Sequence, residues 1–230
     1  MDLRSWTGVQ FVRRAPSKGG EEVELRVSRM TPSQVLWWQS HVQPIIDRDP
    51  KRVDAGWNWL LYAPFTLLVG SALARRPVGY SVGIVVPDTG QFIPCALTLL
   101  LGRNPAFDDH SRRSTVSWYL TTAPEAALLD IEEYRLSEDR VPKLLGSIAL
   151  DVAVTHSLNH WGRGRVGLHA DLKGGDPLLH WYQRQGMTVL PKDRRLPPGP
   201  RRLVRPSDGH YCYFTVKHAR AASQRLDYLR

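Results

Sequence analysis

Residues 141–187 read VPKLLGSIALDVAVTHSLNHWGRGRVGLHADLKGGDPLLHWYQRQGM, and this stretch decides the fold. Apolar residues recur at helical spacing over Leu144–Leu158, and two glycines shortly afterwards end the predicted helix. A short strand is expected over Arg165–His169. A second helix is expected over Asp176–Gln185, because Asp-Pro is a helix-start signal and Gly186 is a stop signal. The succession of helix, strand and helix indicates an α/β chain.

Strand patterns dominate the part of the chain that precedes this stretch. Val23–Val27 alternates apolar and polar residues, and three more strands, antiparallel to one another, are predicted over Val78–Val86, Phe92–Leu101 and Thr115–Thr122. Leu60–Leu73 is the most apolar run, yet its 14 residues fall short of the roughly 20 that a membrane-spanning helix needs. We therefore predict that it is a buried helix or a buried pair of strands. The expected fold class is α/β, with a mixed, mostly antiparallel central sheet flanked by helices.

Length and composition favour one globular domain. The chain has 230 residues, of which 42% are hydrophobic, enough for a packed core. Residues 1–20 are polar and basic and are predicted to form a flexible N-terminal arm, which leaves residues 21–230 as the single domain. The two cysteines, Cys95 and Cys212, lie in apolar runs, so free buried thiols in a reducing compartment are expected. The first residues lack the apolar segment of a signal peptide, and a cytoplasmic protein without membrane contact is expected.

The net charge of +9 and the sequence pI of about 9.9 favour anionic partners, among them nucleic acid or a phosphorylated cofactor. The densest basic cluster, Arg194-Arg195 with Arg201–Arg205, lies in the Pro- and Arg-rich segment 192–206. A solvated loop and a contact with substrate or nucleic acid are both open interpretations of this segment. His156 and His160 have the helical spacing that metal sites use, but no third ligand is in register. We read them as core or helix-end histidines and expect no metal.

The succession of helix, strand and second helix, with Trp181-Tyr182 before Gly186-Met187, resembles the core of the GNAT superfamily of acyl-CoA N-acyltransferases. The resemblance extends over about Val116–Met187 and implies a GNAT-type sheet and an acyl-CoA co-substrate, acetyl-CoA or another acyl-CoA. In that family a strand pairs with the pantetheine arm of coenzyme A. Here the resemblance assigns this role to Tyr119, Leu120 and Thr121.

The resemblance also implies that the loop and helix start at 140–147 bind the pyrophosphate of coenzyme A. Backbone N–H groups at a helix N-terminus bind anions, and the helix dipole strengthens this binding. Only Gly146 occupies a glycine position of the family pattern Q/R-x-x-G-x-G/A, and Pro142 has no N–H group. The expected ligands are the basic residues and the first turn of the helix: Arg140, Lys143, Leu144, Leu145, Gly146 and Ser147.

For catalysis, the resemblance implies direct attack of an amine on the thioester. Tyr182 is the candidate hydroxyl that stabilises the leaving thiolate, although a core aromatic is the other interpretation of this residue. Removal of the amine proton needs a base, and carboxylates after the pantetheine strand are candidates. We single out Glu125 and Glu133. The aromatic segment Trp57-Asn58-Trp59 is either core or a wall of the acceptor pocket.

The predicted function is acyl transfer from acyl-CoA to an amine acceptor. Two alternatives remain open. One is a GNAT-fold binding module without catalysis, and the other is an acyltransferase whose amine is carried by a nucleic acid such as charged tRNA. A homodimer is compatible with the resemblance. Metalloenzyme chemistry and a Ser hydrolase are not supported, because neither ligand spacing nor a G-x-S-x-G motif is present.

Overall fold

The computed structural model describes residues 9–86, 89–132, 136–197 and 206–230. Their strands form one eight-stranded sheet in the order β1-β2-β3-β4-β5-β6-β8-β7. The strands are β1 (Val9–Pro16), β2 (Glu22–Arg29), β3 (Pro77–Val85), β4 (Phe92–Pro105), β5 (Arg113–Thr122), β6 (Val166–His169), β7 (Thr188–Val189) and β8 (Tyr211–Phe214). Every neighbouring pair is antiparallel except β5 and β6, which are parallel. The predicted mixed, mostly antiparallel sheet is confirmed.

Seven α-helices accompany these strands in the described part of the chain. They are α1 (Pro32–Trp37), α2 (Gln43–Ile46), α3 (Trp59–Ala72), α4 (Glu125–Asp130), α5 (Leu145–Leu158), α6 (Gly175–Arg184) and α7 (Val216–Gln224). A π-helical turn, Trp38–Val42, joins α1 to α2. Thr31 caps the first of these helices: its side chain accepts a hydrogen bond from the Gln34 N–H, and the Gln34 side chain accepts one from the Thr31 N–H. This reciprocal capping fixes the start of α1 after β2.

The sheet is covered on both faces. On one face the Ser81 hydroxyl of β3 donates to Gln34 of α1. On the other face the next residue along that strand, Tyr80, contacts His156 of α5. Successive side chains of a strand point to opposite faces, so α1 and α5 lie on opposite sides of the sheet. The largest fully buried side chains come from both layers and from the sheet: Trp38, Trp59, Phe214, Leu25, Ile46, Ile93, Leu97, Leu99, Leu100, Leu128 and Ile148.

The predicted N-terminal arm is wrong for its described part. Residues 9–16 form β1, which pairs with β2, and Arg13 is only 4% exposed. The Arg13 guanidinium donates two hydrogen bonds to Oδ2 of Asp151 on α5, at 2.8 and 3.2 Å. From the sequence alone, an arginine is expected to be polar and exposed. The buried carboxylate partner that allows Arg13 to be buried is visible only in the structure. Residues 1–8 lie outside the described residues.

The apolar run Leu60–Leu73 is helical, as one of its two interpretations predicted, but it is not fully buried. Four residues at helical spacing, Trp59, Ala63, Thr66 and Gly70, form the buried stripe of α3. Gly70 permits a close approach, because a Cβ there would lie 2.7 Å from the Leu101 side chain. The opposite face exposes leucine and phenylalanine: Leu60, Leu61, Phe65, Leu67, Leu68 and Leu73. Hydropathy alone does not distinguish such a helix from one buried on all sides.

Both cysteines are buried and free, as predicted. Burial raises the pKa of Cys95 and of Cys212 to about 12, so both thiols stay protonated and unreactive at neutral pH. Within the described ranges, every helix is too short or too polar to cross a lipid bilayer.

Candidate active site

The parallel pair of strands β5 and β6 separates soon after it forms. Only two residue pairs hold it together, Thr115 with Val166 and Val116 with Gly167. Beyond this point Leu168 and His169 pair with β8 alone. The facing edge of β5 beyond Val116 therefore has no partner strand among the described residues, and its backbone N–H and C=O groups are available to a ligand.

A β-bulge turns β5 away from β6. Leu99 of β4 pairs with Tyr119, whereas the next residue, Leu100, pairs with Ser117. Trp118 is the extra residue of the bulge, and its side chain is 55% exposed. Bulges bend and twist a strand locally and are common beside active sites. Here the bulge lies where the two strands separate.

A groove with a volume of about 1270 Å³ opens at this separation. Its walls include residues 116–123 of β5 and the chain after it, Leu168 and His169 of β6, and residues 141–147 at the start of α5. On the β6 side the wall is Leu168–His169, because Gly167 is still paired with β5. The Ser117 hydroxyl is buried within this groove wall and has no hydrogen-bond partner among the described residues. Such an orphaned polar group is rare in folded proteins and fits a site for a polar ligand.

The N-terminus of α5 faces this groove without a capping side chain. Leu144 precedes the helix in the left-handed conformation, with φ 64° and ψ 16°, and no side chain caps the first turn. The residues of this first turn, Leu145, Gly146 and Ser147, all line the groove. The first N–H groups of a helix have no partner within the helix, so this end offers donors and a partial positive charge to an anion.

The loop before α5 is held by the N-terminal segment. The Lys143 N–H donates to the Pro16 carbonyl at 2.8 Å, and the Lys18 N–H donates to the Val141 carbonyl at 3.1 Å. Lys143 and Lys18 both line the groove. Arg140, which was also predicted to bind the cofactor, lies in the 3₁₀ turn Glu138–Arg140, is exposed, and is not part of the groove wall. The structure thus brings the lysines to the helix start but leaves Arg140 aside.

Gly146 has a packing role that its sequence position did not indicate. A Cβ at this position would lie 3.2 Å from Cζ2 of Trp181 on α6. The indole therefore occupies the space that the missing side chain leaves free. Trp181 also packs edge-on against Tyr182, with ring centroids 4.9 Å apart. The small residue allows α6 to approach the first turn of α5, and this contact sets the position of the next residue on α6.

Tyr182 lines the groove and is buried, with 8% of its surface exposed. Burial raises the pKa of its hydroxyl above the ordinary value of 10, so it remains protonated at neutral pH. The hydroxyl has no hydrogen-bond partner among the residues that the structure describes, which leaves it free to donate. Tyr182 combines the two interpretations of the sequence: its ring is part of the core, and its position is on the groove wall.

The three predicted pantetheine-binding residues of β5 all line the groove, but their side chains differ in availability. The Thr121 hydroxyl is buried and donates to Asp54 Oδ2, so only its backbone is available. The Tyr119 ring stacks on Tyr62 at 4.8 Å with an interplanar angle of 6°. Trp57 packs edge-on against Tyr119 at 5.0 Å. Trp57, Tyr62 and Tyr119 form an aromatic wall on one side of the groove, whereas Trp59 is fully buried.

Of the two predicted catalytic carboxylates, Glu125 lines the groove and Glu133 lies outside the described residues. Glu125 forms an ion pair with Lys18, and its side chain is 46% exposed. This partner neutralises the carboxylate and occupies one of its oxygens, Oε1.

A histidine that the sequence did not single out also lines the groove. His169 ends β6, and its Nε2 lies 2.8 Å from Oδ2 of Asp208. Burial raises the pKa of Asp208, but hydrogen bonds from His169 and from the His210 N–H outweigh it and hold the pKa below the ordinary value. In the tautomer that places the proton on Nε2, this nitrogen donates to Asp208 and Nδ1 is an acceptor. The signal that could have identified His169 was its position at the carboxyl end of a strand, where the sheet opens.

Asp54 is a second carboxylate on the groove wall that the sequence did not single out, and it is already bonded. Arg52 donates two hydrogen bonds to it, at 2.7 and 2.8 Å, and the Thr121 hydroxyl donates a third. Arg52 also donates to the Thr122 carbonyl at 2.8 Å. This network ties the segment before α3 to the end of β5, which gives Asp54 a structural role in the groove wall.

No protein-family model matches the chain, and no curated protein matches it in sequence. Solved structures are similar in fold. An acetyltransferase of the GNAT family from Staphylococcus aureus Mu50 is 8% identical, with 84% of this chain and 99% of that chain covered and a TM-score of 0.47. NAA60 from Arabidopsis thaliana in complex with acetyl-CoA is 14% identical, with 84% and 99% covered and a TM-score of 0.44. AtaTR bound with acetyl-CoA is 16% identical, with 86% and 96% covered and a TM-score of 0.42.

At TM-scores below 0.5 these matches neither establish the fold nor assign a role. The chain itself has the mostly antiparallel sheet that the resemblance implied, together with a parallel pair of strands that separates and a helix that starts at the mouth of the opening. The chain therefore has a GNAT-like fold.

Proposed function

We propose that this protein is an N-acyltransferase that moves an acyl group from an acyl-CoA, acetyl-CoA in the first instance, to an amine acceptor. One observation carries the proposal: a single groove is lined by the uncapped start of α5, the free edge of β5 and Tyr182. Its volume exceeds the 300–1,000 Å³ of most small-molecule pockets, as expected for a site that takes a coenzyme and an acceptor together.

The residues present fit an acyl-CoA. The first-turn N–H groups of Leu145, Gly146 and Ser147 would hold the pyrophosphate, with Lys143 adding a positive charge beside them. The free edge of β5 from Ser117 to Thr121 would pair with the amide groups of the pantetheine arm, as a strand pairs with an added strand. The orphaned Ser117 hydroxyl would then gain a partner in the groove.

The acyl thioester supplies an electrophilic carbonyl carbon and a thiolate leaving group. Tyr182 would donate a hydrogen bond to the sulfur as the C–S bond breaks, which its protonated, unpartnered hydroxyl allows. The attacking amine must lose a proton to form the amide. His169 is the group best arranged to accept it, because Asp208 holds one ring nitrogen and leaves the other as an acceptor. Glu125 is the second candidate, since it lines the same groove.

The test is the release of free coenzyme A from acetyl-CoA in the presence of a panel of amines. Tyr182→Phe keeps the ring that packs in the core and removes only the hydroxyl. We expect turnover to fall about 100-fold or more, within the range of a lost proton donor, while acetyl-CoA affinity stays within about twofold. The matched control is Tyr228→Phe, which removes a hydroxyl from an exposed residue outside the groove and should leave both values unchanged. Equal turnover in Tyr182→Phe and wild type would remove Tyr182 from catalysis.

Two alternatives to this function have their own support. The packing of Trp181 on Gly146 accounts for that glycine without a coenzyme, which favours a binding module; failure of acetyl-CoA to bind would support that alternative. Basic residues on the groove wall, among them Lys51, Lys143 and Arg184, favour an amine carried by a nucleic acid. RNA binding that does not weaken with added salt would contradict the nucleic-acid alternative.

A further inference from the structure

A second cavity lies away from the groove, at the other end of α5. It has a volume of about 200 Å³, and none of its lining residues belongs to the groove wall. The first turn of α5 faces the groove, and the last turn faces this cavity. Six residues give the cavity its chemistry: Arg29, Arg76, Arg103, His156, His160 and Trp161.

The three arginines of the cavity are held by aromatic rings. The Cζ atoms of Arg76 and Arg103 lie 4.0 and 4.3 Å from the ring centroid of Trp161. Arg29 lies over the Tyr80 ring, with its Cζ 4.9 Å from the centroid. Among the described residues, none of the three forms an ion pair with a carboxylate. Contact with a ring face orients a guanidinium and leaves its N–H groups, which lie in the guanidinium plane, available as donors.

The backbone holds two of these arginines in an unfavourable conformation. Arg76 and Arg103 have φ angles of 46° and 56°, in the left-handed region that favours glycine. They lie next to each other across the sheet, because Pro77 at the start of β3 pairs with Leu101 of β4. Arg76 belongs to the turn before β3, in which Ala74 is also left-handed, and Arg103 lies where the pairing of β4 with β5 shifts between Leu101 and Asn104. The turn and the bulge therefore fix the backbone that carries both guanidinium groups.

The local charge is strongly positive and only partly offset. Arg75 adds a further guanidinium next to the cavity, where it donates to the Arg103 carbonyl at 2.7 Å. Burial lowers the pKa of Arg75, and the nearby charge of Arg113 adds a smaller effect in the same direction. The C-terminus of α5 contributes about half a negative charge, which does not balance three guanidinium groups. An anion in the cavity would relieve this repulsion.

We propose that this cavity binds the phosphate group of a small phosphorylated ligand. Guanidinium groups match phosphate oxygens with paired hydrogen bonds, and several unpaired guanidinium groups favour a dianion such as phosphate. The volume of about 200 Å³ is large enough for a phosphate group. His160 and the Trp161 indole border the same space. The proposal does not depend on acyl transfer in the groove.

The test uses the full-length protein and inorganic phosphate, followed by the indole N–H signal of Trp161 in ¹⁵N–¹H spectra at constant ionic strength. Loss of one signal in Trp161→Phe assigns it. We expect a saturable shift with a dissociation constant of about 1 mM or lower. Arg76→Gln and Arg103→Gln should each weaken binding about tenfold or more, the effect of losing one charge-assisted hydrogen bond. Arg220→Gln, an exposed arginine of α7 outside the cavity, should leave binding unchanged.

Several results would overturn the proposal. These are a non-saturable shift, equal weakening by Arg220→Gln, or a shift with succinate but not with phosphate. A shift with an RNA oligonucleotide but not with inorganic phosphate would assign the arginines to a polymer instead. Because the wild-type titration reports on Trp161 directly, the proposal stays testable even where an arginine variant does not fold. Saturating coenzyme A should not displace the phosphate, which separates this cavity from the helix start in the groove.

Discussion

Replacing Arg13 tests whether β1 is an integral part of the sheet. Arg13 is 4% exposed and Asp151 is 3% exposed, and two hydrogen bonds join them. In Arg13→Met the side chain keeps its length and apolar stem, but the Asp151 carboxylate stays buried without its main partner. Ser223 and Arg230 still contact the other oxygen of Asp151, at 3.2 and 3.3 Å.

Removing one partner of a buried ion pair costs about 3–5 kcal/mol, and the remaining contacts of Asp151 place the expected loss near the lower end, about 3 kcal/mol. At roughly 2–4 °C per kcal/mol for a chain of this size, Tm should fall by about 6–12 °C. Urea unfolding followed by tryptophan fluorescence and by circular dichroism measures the free energy directly. The control is Arg14→Met, because Arg14 is the exposed neighbour on the same strand and should change stability by no more than about 0.5 kcal/mol.

A loss below about 1 kcal/mol, or one equal to that of Arg14→Met, would refute this reasoning and favour a loosely held N-terminal arm. The double variant Arg13→Met/Asp151→Leu gives a second comparison. Since it removes both buried charges, it should be more stable than Arg13→Met alone. A double variant that is less stable than the single one would show that Asp151 contributes mainly through its other partners.

Two further predictions concern histidines. Burial, His160 and Arg29 lower the pKa of His156 from 6.5 to about 4, so the unfolded chain binds more protons between these values, and the unfolding free energy falls as the pH drops from 6.5 to 4. At 1.36 kcal/mol per pKa unit, the unfolding free energy of the wild type should fall by about 3 kcal/mol more than that of His156→Asn over this pH range. Parallel curves of unfolding free energy against pH for the two proteins would contradict this prediction. His169→Asn should lower turnover about 100-fold or more, because the candidate base is lost. Unchanged turnover would exclude His169 as the base and favour Glu125.

The part of the fold that the sequence predicts is the part with local signals. Helical periodicity and glycine stops place α5 and α6 within one or two residues of their observed bounds. Strand β1 was missed because Arg13 finds its partner Asp151 138 residues away, and no local pattern reveals such a pair. The exposed face of α3 was missed for a related reason, since hydropathy records how apolar a run is and not what covers it.

The same difference between local and long-range signals applies to the residues of the candidate site. Tyr182 was found because it belongs to a motif on a helix, and its place on the groove wall followed from the fold. His169 was missed because its meaning depends on Asp208, which follows 39 residues later in the chain. Gly146 was identified, but its packing against Trp181 involves a residue 35 positions along the chain, so only the structure gives the reason for it.

Titration of the protein with acetyl-CoA by calorimetry measures whether the groove binds an acyl-CoA, which every step of the proposed function requires. We expect saturable binding that Lys143→Glu weakens about tenfold or more, since it places a negative charge beside the helix start. Lys217→Glu, the same change at an exposed position of α7 outside the groove, should bind like the wild type. Absence of binding at millimolar acetyl-CoA, or equal weakening by both variants, would contradict the assignment of the groove to an acyl-CoA.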